Sequence, residues 1–417
     1  VPRSPVSTAR AGSVFSPAMV FLLLCTFGGF AGFYLLLSVV PLAVASGSAG
    51  AAGAGLVTGA LMVATVAVQP PLPRLLARFG YRTALLAGTV ALGAPSALLV
   101  LSTDLGPVVG VSLLRGAGFG IFVVASSAAA AELVPDHLRG RGTGWYGVAN
   151  GVGAVLGLPF GVLLGDVLGR GWVFVLAAAL PLAGALAAIG VRAPRPAPVR
   201  RARVLSGLAD PPTLRPFVLQ AASTVASGVI VTFLPLVVPH ALAWVVPVAL
   251  ALQQLGVTVA RGAAGALGDR YGHERLLAPA VLATGLGVLS GVWADRPWAV
   301  LAGSVLFGLG LGAVQNATLT LMLQRAGRAG YGTASTQWNL AFDAGTGLGG
   351  AGVGLVVEHL GHDAGFVTAA VLLFGLLVVA RRDAAASTGD TGPLCEPTVH
   401  AGGTGELSTV GDPPRRP

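Results

Sequence analysis

A chain of 417 residues that is 54% hydrophobic, only 10% charged and of mean hydropathy +0.81 lacks the charge that keeps a soluble protein of this size dispersed. Its net charge of +9 comes from arginine alone, 25 residues with no lysine, and these sit between apolar runs, which excludes a nucleic-acid-binding surface as the source of the excess. The 62 glycines lie largely inside apolar stretches, which excludes a Gly-rich disordered chain.

In chain order, apolar runs long enough to cross ~30 Å of hydrocarbon as helices fall near 17–42, 51–69, 83–102, 106–131, 143–165, 172–191, 216–238, 241–263, 276–294, 298–323, 333–357 and 364–380. The composition therefore predicts an all-α polytopic membrane protein of about twelve spans, packed through small residues. Residues 1–16 and 382–417 are polar tails, the latter rich in Gly, Pro, Thr and Ser and expected to be disordered. Cys25 and Cys395 offer neither a disulfide framework nor a metal spacing, and no cofactor or metal is expected.

The loops between runs differ in charge. Arg74, Arg78, Arg82, Arg139, Arg141, Arg192, Arg195, Arg200, Arg201, Arg203, Arg261, Arg270, Arg275, Arg325 and Arg328 fall in alternate loops. The opposite loops carry Asp104, Asp166, Asp295, Glu358 and Asp363, with only Arg170 and Arg296 among them. The positive-inside rule then places both termini in the cytoplasm. The all-Arg usage fits a GC-rich bacterial genome, so the expected location is a bacterial plasma membrane.

One offset recurs. Arg78 and Arg270, and Gly80 and Gly272, stand 192 positions apart. The same 192 relates Gly116, Gly118 and Gly120 to Gly308, Gly310 and Gly312, Asp166 to Glu358, Gly169 to Gly361 and Phe174 to Phe366. The chain reads as two pseudo-symmetric six-helix bundles, 17–191 and 213–381, joined by an Arg-rich cytoplasmic linker at 192–212. Parallel repeats of this kind enclose a midplane site and alternate its exposure by rocking.

The stretch "GALGDRYGHER", 265–275, carries four charged residues between Asp269 and Arg275. With Gly265, Leu267, Asp269, Arg270 and Gly272 in place, it resembles the cytoplasmic loop signature of the major facilitator superfamily. Its echo in the first half keeps Leu75, Arg78, Gly80 and Arg82 but has Pro73 and Ala77 where Gly and Asp are usual. Glycine serves the turn, and Asp269 can accept hydrogen bonds at a neighbouring helix N-terminus, where the macrodipole favours a negative charge. The resemblance implies that this helix is span five, near Gly142 to Trp145, and that the contact latches the cytoplasmic side. The alternative is plain topology signalling. The stretch "GVGAVLGLPFG" in span five, with Gly153, Gly157, Pro159 and Gly161, is similar to the signature of drug/proton antiporters, with the Pro displaced by one. It implies a close, bendable contact where the halves meet.

Ionisable groups at membrane depth are costly, by at least ~2.5–3.5 kcal/mol on insertion scales, so each is a functional candidate. Asp343 lies in mid-span about 12 residues from Tyr331, hence ~18 Å deep. Desolvation there penalises the charged carboxylate and favours proton uptake; Asn339, one turn earlier on the same face, is placed to bond it. Arg115 lies in span four in "SLLRGAGFG" and resembles the arginine of a fourth-span family motif, one turn out of register. It cannot lose its proton, so its role is to bias a carboxylate or attract an anion. Each has a structural alternative, packing against backbone carbonyls or neighbouring amides. Tyr34, Asn150, Gln220, Gln253, Gln315, Asn316 and Trp338 are candidate cavity residues, alongside Thr224, Gln254 and Gln337; singly, each also suits a helix–helix hydrogen bond.

These features together point to a secondary transporter, not an enzyme, since no paired carboxylates, His–Cys–Asp grouping or metal spacing occur at one depth. The expected partners are protons, a small-molecule substrate and the lipid bilayer, with no nucleic acid, and a monomer suffices. The span-five resemblance implies proton-coupled export of an amphiphilic compound such as a drug or natural product. The alternative is a proton-coupled importer of a sugar, nucleoside or organic acid on the same fold.

Overall fold

A computed structural model of the chain describes residues 15–47, 49–135, 139–194 and 211–389, with the side chains of 139–140, 327–332 and 384–389 outside the description. Residues 1–14, most of the linker, and the tail beyond 389 lie outside the described residues, and with them Arg195, Arg200, Arg201 and Arg203. Among the described residues, twelve helices are long and apolar enough to cross a membrane. They are α1 Pro17–Ala45, α2 Gly50–Val68, α3 Leu72–Val100, α4 Leu105–Glu132, α5 Arg141–Val167, α6 Arg170–Ala188, α7 Pro211–Val237, α8 Val245–Tyr271, α9 His273–Trp293, α10 Pro297–Ala326, α11 Thr333–Leu360 and α12 His362–Asp383. Helical backbone runs without a break from Pro297 to Leu360. The path nevertheless reverses within it, because Trp338 Nε1 donates to Thr318 Oγ1 at 3.1 Å, whereas 20 residues of straight helix would hold them ~30 Å apart.

Successive helices alternate in direction, so α1 begins and α12 ends on one face, here called proximal; the other is distal. The main departure from the expected boundaries is α3, which starts at Leu72 and not near 83. Its first two turns carry Arg74 and Arg78 and end at a corner, Gly80, with φ 80° and ψ 166°. The corresponding "GALGDRY" residues are likewise the last turns of α8, and only Gly272, φ 90°, turns the chain. A non-Gly residue would be strained at such angles.

The repeat holds in three dimensions. The positive-φ glycines Gly80 and Gly272, and Gly169 and Gly361, occupy the four matched corners. Gly116 of α4 lies on the carbonyl of Leu61, and Gly308 of α10 on that of Gln253, itself the residue 192 positions on. Gly120 meets the carbonyl of Thr65, and Gly312 that of Val257, its counterpart. Without a Cβ, helix backbones approach to van der Waals contact, the main attraction available in lipid. Two six-helix bundles result: α1–α6 and α7–α12.

Aromatic packing fills the first bundle. Phe33 stacks on Phe119 with ring centroids 3.7 Å apart, and Phe30 meets Phe119, Phe122, Tyr34 and Tyr146. The second bundle is tied at its proximal end by Asp383, 1% exposed, which pairs with Arg325 at 2.7 Å and Arg215 at 3.6 Å. Asp383 was expected in a disordered tail. It is instead the buried counter-ion of three helices, a role that only the convergence of α7, α10 and α12 creates.

Candidate functional site between the halves

The two bundles are pressed together at the distal end. Gly55 packs on Gly350, Gly59 on Ala351 and Gly347 on Met62, so α2 and α11 cross as an antiparallel pair. Thr58 Oγ1 and Thr232 Oγ1 share a hydrogen bond of 3.1 Å between α2 and α7. At the rim, Glu358 Oε2 accepts from Ala52 N at 3.2 Å, setting a carboxylate on the free N-terminus of α2.

Toward the proximal face the other crossing, α5 against α8, opens. A methyl on Gly151 would come within 3.9 Å of Thr258 Oγ1; on Gly147 and Gly144, the next positions of the same face, it would meet nothing within 4 Å. Gly262, one turn beyond Thr258, also faces open space. The expected latch is not engaged: the Asp269 side chain is 84% exposed, and its ion-pair partner among the described residues is His273, one turn on at 3.5 Å. Arg270 and Arg78 lie over the neighbouring rings of Tyr271 and Phe79, each 5.2 Å from the centroid. Arg275 and Arg82 are exposed.

Three ionisable side chains sit ten residues, about 15 Å, from the nearer end of their helices: Arg115, Arg261 and Asp343. Asp343 is 5% exposed and accepts from Gln69 Nε2 at 2.6 Å, across the boundary between the halves. Asn339 does not bond it; its amide donates back to the Ser335 carbonyl at 2.9 Å along its own helix. Arg261, expected in a loop, is a half-buried residue of α8 that hydrogen-bonds Gln315 Oε1 of α10. The helix extends to Tyr271, well past the point where apolar character fades, and this carries Arg261 into the interior. Tyr34 of α1 lies within electrostatic range of both Arg261 and Asp343. Arg115 is buried but stands apart, lining a cleft on the α1–α2–α4 side.

Of the predicted cavity residues, Tyr34, Gln315, Gln220 and Trp338 converge. Trp338 donates to Thr318, which donates to Gln220 Oε1 at 3.0 Å, linking α11, α10 and α7. Its counterpart in the first half is the contact of Ser126 with Tyr146 at 3.5 Å, both residues displaced by 192. Asn150 is half-buried on α5, and Gln253 is buried on the distal side of α8 with Oε1 unpaired. Asn316 lies beside Gly265, with its own Oδ1 unpaired. The span-five stripe does not lie where the halves meet: Gly153, Gly157 and Gly161 pack on Ala31, Tyr34 and Leu35 of α1, inside the first bundle, and Pro159 is buried in the same helix. Its twin is Gly345 and Gly349 against Ala221 and Val225 of α7. The stripe is thus a packing device of both bundles.

Sequence reasoning missed Gln69 and Arg261. The repeat could have found them, for they are each other's counterparts, while Asp343 corresponds to Gly151. The ionisable groups at depth stand where the halves differ, with Arg261 opposite Gln69 and Asp343 opposite Gly151.

The sequence pattern of the family described as Major Facilitator Superfamily matches residues 22–244 and 216–400. No functionally curated protein matches the chain. Among solved structures, the fold is similar to that of the nucleoside transporter NupG, at TM-score 0.68 and 13% identity, covering 88% of this chain and 98% of that one. A POT family transporter in complex with 5-aminolevulinic acid aligns at TM-score 0.73 and 13% identity, covering 90% and 96%. A bacterial homolog of the human lysosomal transporter Spinster, inward-facing and unoccupied, aligns at TM-score 0.64 and 15% identity, covering 88% and 95%. A twelve-helix integral membrane protein built from two matched bundles, this chain belongs to the Major Facilitator Superfamily of transporters.

Proposed function

We propose that the protein is a proton-coupled exporter of a small amphiphilic compound, with Asp343 as the proton-carrying group. The observation that carries the reading is the hydrogen bond from Gln69 to Asp343, 2.6 Å across the boundary between the bundles. A carboxylate accepts such a bond strongly when charged; protonation weakens it at the seam along which the bundles must part. Uptake of a proton therefore biases the rocking equilibrium, which is what coupling requires. The arginine asymmetry supports assigning the proximal face to the cytoplasm; the conformation is then open inward, with Asp269 paired, among the described residues, only within its own loop, and Glu358 engaged on α2. Tyr34, Arg261, Gln315 and Trp338 supply aromatic and polar contacts for a mostly apolar substrate. The direction of transport rests on the resemblance of the span-five sequence alone, since its glycines serve packing in both bundles.

Inverted membrane vesicles with an acid interior test the reading on a panel of fluorescent amphiphiles. Wild-type vesicles accumulate at least one dye, and a protonophore abolishes the accumulation. Asp343→Asn inserts normally and accumulates none. Full pH-driven accumulation by Asp343→Asn would remove Asp343 from the mechanism, and proton-driven uptake confined to right-side-out vesicles would establish import.

A further inference from the structure

Arg115 is 2% exposed, yet no described residue accepts a hydrogen bond from its Nε, and no carboxylate among them pairs with it. It lines a cleft between α1, α2 and α4 with Phe33, Leu36, Val40, Leu61 and Ser112. Ser112, one turn earlier on the same face, is fully buried and its hydroxyl is also unpaired. A buried guanidinium cannot discharge itself, and leaving its donors unmet is expensive.

The repeat shows that the fold does not ask for this arginine. The residue 192 positions on is Phe307 of α10, 0% exposed in the corresponding place, while Ser112 keeps its counterpart in Ser304. An apolar side chain closes the site in one bundle; a cation stands there in the other. Arg115 lies ten residues from the distal end of α4, whereas Asp343 lies ten residues from the proximal end of α11 and is taken by Gln69. Among the described residues, Arg115 therefore has no counter-charge of its own.

We propose that the Arg115–Ser112 cleft binds a monoanion, the acidic group of the transported compound, so that the cargo is an amphiphilic organic acid. The guanidinium and the Ser112 hydroxyl donate to the anion, and Phe33, Leu36 and Leu61 hold the adjoining apolar part. The cleft as packed has a volume of about 10 Å³, room for about one water-sized group, so it takes the acidic oxygens while the apolar part lies along its open side. This assignment rests on the transport reading but not on proton coupling.

The test is thermal unfolding of the purified full chain in detergent, titrated with sodium benzoate, sodium chloride or neutral benzamide. Responses are compared with Arg115→Gln, which cancels bulk ionic effects, and with Arg115→Phe, which copies the other bundle. Benzoate is expected to raise the Tm of the wild type in a saturable manner, benzamide to leave it unchanged, and both variants to lose the response. Without anion, Arg115→Phe is expected to melt no lower than the wild type. Equal responses of wild type and Arg115→Gln overturn the site. Protection by chloride but not benzoate overturns the assignment to the cargo's acid. A lower Tm of anion-free Arg115→Phe, together with no benzoate effect on the wild type, makes the arginine structural. No gradient is used, so proton-driven transport by Asp343 stands or falls separately.

Discussion

Gln69 at the proximal end of α2 and Asp343 of α11, 274 residues apart in the chain, share a 2.6 Å hydrogen bond that joins the two bundles. It is the last contact of a crossing that begins at the distal rim with Ala52 and Glu358. One helix pair therefore carries a polar tie at each end and a seam of glycines between them.

The two residues should be coupled energetically. Interhelical hydrogen bonds in membranes average about 0.6 kcal/mol, with a maximum near 1.7, and this one is buried and engages a carboxylate. A double-mutant cycle of Gln69→Leu and Asp343→Leu, which removes donor and acceptor in turn, read by thermal unfolding, is expected to return about 1 kcal/mol. A coupling energy of zero would mean that the bond contributes nothing to holding the seam.

Glu358 should act at the distal rim. Removing its carboxylate from the α2 N-terminus gives up a helix-terminus interaction of about 0.3–1 kcal/mol and favours opening on that side. Ala351→Cys, placed where α11 rests on Gly59, reports the opening through labelling by a membrane-impermeant maleimide. Adding Glu358→Gln is expected to raise the labelling rate by about two- to fivefold, the range those energies correspond to. An unchanged rate would leave the seam to its glycines alone.

The matched glycines offer a paired test of the repeat. A methyl on Gly116 would overlap the Leu61 carbonyl, and one on Gly308 the Gln253 carbonyl, while at Gly110 it would meet nothing within 4 Å. Gly116→Ala and Gly308→Ala are each expected to destabilise the protein by about 1–3 kcal/mol, the usual range for overpacking. Gly110→Ala should stay within about 0.5 kcal/mol of the wild type or gain slightly in helix propensity. Thermal unfolding of the three variants decides, and a tolerated Gly116→Ala beside a damaging Gly308→Ala would break the equivalence of the bundles.

Span number, alternating direction and the two-bundle repeat were all present in the linear chain. Hydrophobic length and charge asymmetry act locally, and a fixed offset survives in any alignment of the chain with itself. The depths of Arg115 and Asp343 followed from the same count. What the chain could not specify was which side chains meet. Asn339 was the natural partner of Asp343 by helical spacing, yet Gln69 takes the place, because the α2–α11 crossing angle and register are set by glycines on both helices. Arg261 looked like a loop residue, since apolar character ends before its helix does. The span-five glycines pointed to the boundary between halves and turned out to serve α1, because a stripe of small residues marks a close neighbour without naming it. Pairing between helices is settled by packing of whole bundles, and that information is distributed over residues hundreds of positions apart.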